Sequence, residues 1–132
     1  MAGKRSAPET ASEEMEGERA AEPLDHAHLA RYTLGERELE REVLQLFCAQ
    51  SKLYLAQLRA AASDKEWRDA AHSLRGSARA VGAWRAAAAA ARAEALAGAS
   101  AAQARARAQR LSEIEATLRE AEMHIEPLLA AP

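Results

Sequence analysis

Bulky apolar side chains are scarce in this chain, and small ones are abundant. Among 132 residues, Leu, Ile, Val and Phe together number 20, whereas alanine alone numbers 36. A bulky share of about 15% is low enough to raise the question of disorder. The other half of the disorder signature, a high net charge, is missing, because the formal charge is only −2. Alanine is also the strongest helix former, since its side chain loses no rotamer freedom in a helix. The chain therefore reads as an all-helical domain with a thin core.

Apolar spacing and capping residues place the helices. Residues 1–22 are polar, acidic and without apolar periodicity, and read as a disordered tail ahead of a domain over 23–132. Pro23 suits the first position of a short helix to Tyr32, with Leu24 and Leu29 facing inward. Thr33 and Glu36 fit a capping box, a hydroxyl at the N-cap with a carboxylate three residues on. The helix that follows is expected to run to about Ala62, with Leu39, Val43, Leu46, Phe47, Leu53, Tyr54 and Leu58 as its core stripe. Ser63 and Glu66 repeat the box ahead of a third helix, which Gly82 ends or bends. A fourth covers Ala83 to Ala97, with Gly98 at its C-terminal cap. Ser100 and Gln103 form a third box, opening a last helix with Leu111, Ile114, Leu118, Ala121, Ile125 and Leu128 on one face. Pro127 marks where that helix is expected to stop or fray. Short connections make this an antiparallel up-down four-helix bundle with a short extra N-terminal helix.

The third of these helices carries the chemistry. Trp67, Ala71, Leu74, Ala78 and Val81 form its core stripe, which leaves His72 on the opposite face. At 100° per residue, Arg75, Gly76 and Arg79 lie within about 60° of His72. Gly76 is the odd member. Glycine inside a helix costs roughly 0.5–1 kcal/mol relative to alanine, which this chain uses almost everywhere a small residue suffices. A site facing solvent that dispenses with its Cβ points to close approach by another molecule. The surroundings are also distinct in charge. Residues 67–110 hold 8 basic and 2 acidic side chains, whereas 1–66 hold 9 and 13, and 111–132 hold 1 and 5. A neutral imidazole is a competent nucleophile, and a cation beside it offsets an anion held on the ring, so the pattern suits a histidine that carries phosphoryl. It does not suit a hydrolase, for want of a partnered Ser or Cys, an acid pair or an oxyanion motif.

His72-Ser73-Leu74-Arg75-Gly76-Ser77-Ala78, followed by Gly82-Ala83, resembles the signature of histidine phosphotransfer (HPt) domains: His-x-Leu-Lys/Arg-Gly-Ser-Ala, with a second glycine ten residues after the histidine. The likeness extends loosely from Leu24 through Glu94, while the last helix agrees in length and pattern only. It implies a helical bundle whose exposed His72 accepts phosphoryl on Nε2 from a receiver-domain phosphoaspartate and hands it to another receiver. Arg75 would then stabilise the phosphoryl group and Gly76 would leave room for the receiver. Glu94, 22 residues after the histidine, would hold the ring's Nδ1–H. The chain departs from the family in having Arg75 where lysine is commoner, a planar fork in place of a point charge. It also has Ala86 and Ala93 where leucines are usual.

The implied partners are receiver domains and a hybrid or sensor histidine kinase, with Arg68, Arg79 and Arg85 as steering charges. No cofactor is expected on this chain, the magnesium being the receiver's, and no glycine loop for ATP phosphates is present. A helical adaptor that binds receivers or kinases without being phosphorylated is the second reading. Arg105, Arg107 and Arg110 read as a solvated face rather than a nucleic-acid stripe. His26 and His28, two apart, share no helix face, so no metal set is expected there. His124 suits the dipole of the last helix and needs no further role. Cys48, the only cysteine, reads as a buried free thiol in a reducing compartment. With no apolar run of signal-peptide or membrane length, the expectation is a cytoplasmic monomer without membrane contact.

Overall fold

The computed structural model describes residues 20, 22–96 and 101–131, without the side chains of Ala101 and Ala102. The expected cap at Gly98, the box opening at Ser100 and the expected tail (Ala20 and Glu22 apart) lie outside these. Every regular element among the described residues is helical. They are α1 (His26–Thr33), α2 (Arg37–Ala60), α3 (Asp64–Val81), α4 (Trp84–Glu94) and α5 (Ala101–Ala130). Helix α2 packs on α3 and α5, and α4 packs on the same two, which closes a ring of four pairings, while α1 lies against α2 and α3. No described helix is long and apolar enough to cross a membrane.

Helix α3 follows its sequence pattern closely. Ser63 is its N-cap and accepts a hydrogen bond from the Glu66 N–H at 3.1 Å. Glu66 returns a bond one residue further out, to the Ala62 N–H at 2.7 Å. One of the donors that a helix start leaves unpaired is thus satisfied, together with an N–H just ahead of the cap. Trp67, Ala71, Leu74, Ala78 and Val81 are all buried, so His72 faces solvent because the opposite stripe is fully used. Against this face lies α4, whose Ala86 to Ala91 and Ala93 are also buried. A helix of alanines lets its neighbours approach closely, but each methyl buries little area, and the core stays thin.

Gly82 ends α3 rather than bending it. Its φ of 81° lies in the left-handed region, and its N–H closes back on the Ala78 and Arg79 carbonyls. A Cβ here would also meet the Asp25 Cβ and carbonyl oxygen at 3.0 Å. That close approach lets the Asp25 N–H donate to the Gly82 carbonyl at 2.9 Å. Asp25 in turn caps α1, accepting from the His28 N–H at 3.0 Å and from the Trp84 indole N–H at 2.9 Å. One residue thereby joins the starts of α1 and α4 to the end of α3.

Five sequence expectations are corrected. Thr33 is the last residue of α1 and not the cap of α2, and its hydroxyl donates to the Leu29 carbonyl at 2.9 Å. The turn between these helices consumes two left-handed residues, Leu34 and Gly35, which moves the N-cap to Glu36. In α2, Leu39, Leu46 and Leu53 are exposed, while Leu44 and Ser51 are buried with Phe47 and Leu58. The exposed leucines recur every seven residues and form their own stripe beside the one that faces the core. Helix α4 ends at Glu94, short of the expected Ala97. Helix α5 continues past Pro127 to Ala130, and Leu128 is exposed. Its last carbonyls are held by the Arg41 guanidinium, which donates to Leu128, Leu129 and Ala131. Cys48 is a free thiol, half-buried rather than buried, with its pKa pushed up mainly by burial.

Two stability effects follow. Gly82→Ala is expected to cost more than the roughly 1–2 kcal/mol of a left-handed non-glycine residue, because the close contact with Asp25 adds to it. Equilibrium denaturation measures this. The Trp84 indole N–H, and then the His28 N–H, hold the Asp25 carboxyl below its ordinary value. A carboxyl lowered in the folded state stabilises above its unfolded pKa, and that contribution is lost as pH falls through the folded one. The stability gap between wild type and Asp25→Ala, about 1 kcal/mol for a lost cap, is therefore expected to hold at pH 6 and to narrow below about pH 4.

Candidate functional site

His72 stands in the middle of α3 with its side chain 66% exposed. Its Nδ1 lies 2.9 Å from Oε2 of Glu94, the last residue of α4. An ionised carboxylate only accepts, so hydrogen bonding assigns the proton of the neutral ring to Nδ1. The lone pair is then on Nε2, which points away and has no hydrogen-bond partner among the described residues. The other Glu94 oxygen accepts from Arg75 Nη1 at 2.7 Å. Glu94 thus bridges the histidine and the arginine, and both members of the ion pair are largely covered, at 15% and 24% side-chain exposure.

Glu94 owes its position to the end of α4. The Trp67 indole N–H donates to the Ala93 carbonyl at 2.7 Å, pairing one of the oxygens that a helix end leaves free. The Arg107 guanidinium lies 5.0 Å from the Trp67 ring centroid and is bonded to Asp64. A chain of contacts from α5 through α3 therefore fixes the last turn of α4, one residue before the carboxylate.

The remaining expected residues divide. Gly76 is exposed on the His72 face, and a Cβ there would meet nothing within 4 Å. Its φ is not positive, unlike those of Gly35 and Gly82. Neither backbone conformation nor packing among the described residues requires this glycine. Arg68 is exposed one turn before His72, and Arg79 is half-buried two turns after it. Arg85 is engaged elsewhere: it donates to the Ala20 carbonyl at 2.7 Å and pairs with Glu120, which corrects its reading as a steering charge. Arg107 and Arg110 are likewise held in ion pairs, with Asp64 and Glu113, so a solvated face describes only Arg105.

Three further features escaped the sequence reading. Asp69, one turn before His72, has its carboxyl held below the usual value by the Lys65 ammonium, with smaller contributions from Arg68 and His72. It remains a carboxylate at neutral pH, so the charges nearest the ring are mixed and not purely basic. A cleft lined by Gln57, Ala60, Glu66, Asp69, Ala70 and Ser73 opens beside the histidine between α2 and α3. Away from this site, His124 meets His26, Nε2 to Nε2 at 2.8 Å, with Glu22 beside them. A pair 98 residues apart leaves no spacing signal to find. The helical placement of Gly76 generates a direct test. Gly76→Ala is expected to raise stability by roughly 0.5–1 kcal/mol, read by thermal or chemical denaturation.

Comparison with known proteins gives one match. No curated protein and no solved structure matches the chain significantly. The model of the Hpt domain family matches residues 42–125, which is more than half of the chain and includes His72, Arg75, Gly76 and Glu94. The chain belongs to the Hpt domain family.

Proposed function

We propose that this protein is a carrier in a phosphorelay, taking phosphoryl on His72 from the phosphoaspartate of one receiver domain and passing it to another. Hpt domains are phosphocarriers and not kinases, and they work with receiver domains and kinases. The observation that carries the reading is the exposed His72 ring with its Nδ1 on Glu94 and its Nε2 turned outward. The working unit is the bundle of residues 23–132, with its four long helices antiparallel, acting as a monomer in the cytoplasm.

In the transfer, the Nε2 lone pair attacks the phosphorus of the receiver's acyl phosphate. A P–N bond forms, the P–O bond to the aspartate breaks, and the electron pair leaves with the receiver's carboxylate. The ring becomes cationic at the moment of attack, and the Glu94 carboxylate on Nδ1–H stabilises that charge. The chain supplies position and electrostatics, which is most of what phosphoryl transfer needs. Magnesium belongs to the receiver. Arg75 has two tasks: it holds Glu94 in place, and its charge lies one turn from the phosphoryl site. The bare Gly76 backbone admits the receiver surface, and Arg68 and Arg79 steer its acidic pocket.

Incubation with a radiolabelled phosphoreceiver tests this. Label is expected on the wild type, acid-labile and alkali-stable as a phosphoramidate is, and absent from His72→Ala. Gly76→Gln is expected to keep full helicity by circular dichroism yet accept label more slowly. Equal labelling of His72→Ala contradicts the proposal. Receiver binding without any label on the wild type would support a non-phosphorylated adaptor instead.

A further inference from the structure

The contact between His26 and His124 has no part in the relay chemistry. His26 is the first residue of α1, His124 lies in the penultimate turns of α5, and Glu22 belongs to the segment before α1. The two Nε2 atoms are 2.8 Å apart, the rings are tilted by 51° with centroids 5.0 Å apart, and one ligand atom from each of Glu22, His26 and His124 lies within 4.8 Å of the other two. Two ring nitrogens at this distance are joined either by an N–H···N hydrogen bond or by a cation that both of them ligate. A hydrogen bond accounts for the two imidazoles. The third donor, a carboxylate from a separate segment converging on the same point, is what a cation adds a reason for.

We propose that Glu22, His26 and His124 form a binding site for a divalent first-row transition cation. The donor set, two imidazoles and one carboxylate, suits such ions and not magnesium or calcium, which prefer oxygen. Ligands at roughly 2.0–2.1 Å from a metal and at right angles are about 2.9 Å apart, while a tetrahedral arrangement separates them by about 3.3 Å. The observed 2.8 Å fits adjacent positions of a tetragonal ion such as Ni²⁺ or Cu²⁺, and Zn²⁺ needs the rings to part by about half an ångström. Glu22 and His26 are exposed and His124 is half-buried, so water completes the coordination shell. His28 is not a member: its ring packs edge-on against Trp84, at 4.9 Å between centroids. A bound ion would tie the segment before α1 to the end of α5, closing a loop of nearly the whole domain. Binding should therefore appear as stabilisation, because the unfolded chain does not hold these donors together.

The test is a titration of the tag-free full chain with Ni²⁺, and with Zn²⁺ for comparison, by calorimetry and by thermal denaturation. One ion per chain is expected to bind and to raise the melting temperature, Ni²⁺ more tightly than Zn²⁺. His26→Ala and His124→Ala, each first shown to melt cooperatively without metal, are expected to weaken binding on the order of tenfold or more and to lose the thermal shift. Glu22→Gln weakens it less, and His72→Ala leaves it unchanged. Absence of binding to the wild type overturns the proposal. So does binding that survives in the His26→Ala/His124→Ala double variant, or that depends on His72.

Discussion

A single carboxylate, that of Glu94, is shared between the Nδ1 of His72 and the guanidinium of Arg75, at 2.9 and 2.7 Å. The site depends on this sharing. Glu94 is the last residue of α4, where the negative end of the helix dipole disfavours a second negative charge. It is also largely covered, and a partly desolvated carboxylate needs a partner. Arg75 meets both demands from the neighbouring helix. With its charge offset, the carboxylate is free to fix the ring's tautomer and orientation without carrying an uncompensated burial cost. The planar fork of arginine suits a site where the cation must hold an acid in place as well as bring charge.

What keeps that carboxylate still is the helix behind it. The alanines of α4 let it sit close against α3, and the Trp67 indole on the Ala93 carbonyl ties down its last turn. At the other end, Gly82 and Asp25 lock the junction of α3 and α4. The two glycines of α3 are thus opposites. Gly82 is demanded by the fold, through a left-handed backbone and a contact at 3.0 Å. Gly76 is demanded by nothing among the described residues. A helical glycine lowers stability relative to alanine, and at Gly76 the proposed approach of a receiver would give that cost a reason.

Much of this was legible in the sequence, and the remainder failed for identifiable reasons. The α3 stripe, the Ser63 cap, the exposure of His72 and its pairing with Glu94 needed only local spacing or the family motif. The α2 register misled because two stripes of apolar residues run along that helix, and the buried one includes a polar residue, Ser51. Thr33 misled because a cap motif cannot report that the preceding turn consumes two residues in left-handed conformations. Pro127 lies inside α5, whose end is held by Arg41, 87 residues before the Leu128 carbonyl that it bonds. Arg107 beneath Trp67 and His124 against His26 are likewise contacts between distant segments, which periodicity cannot see.

The central claim is that Glu94 holds the proton of His72 on Nδ1 and leaves Nε2 as the outward nucleophile. Nitrogen-detected NMR of the histidine rings tests it most directly, because protonated and bare ring nitrogens differ widely in chemical shift. At a pH where the ring is neutral, His72 is predicted to show the Nδ1–H tautomer in the wild type and to lose that preference in Glu94→Ala. A His72 ring protonated on Nε2 in the wild type, or one whose tautomer is indifferent to the loss of Glu94, would contradict the account.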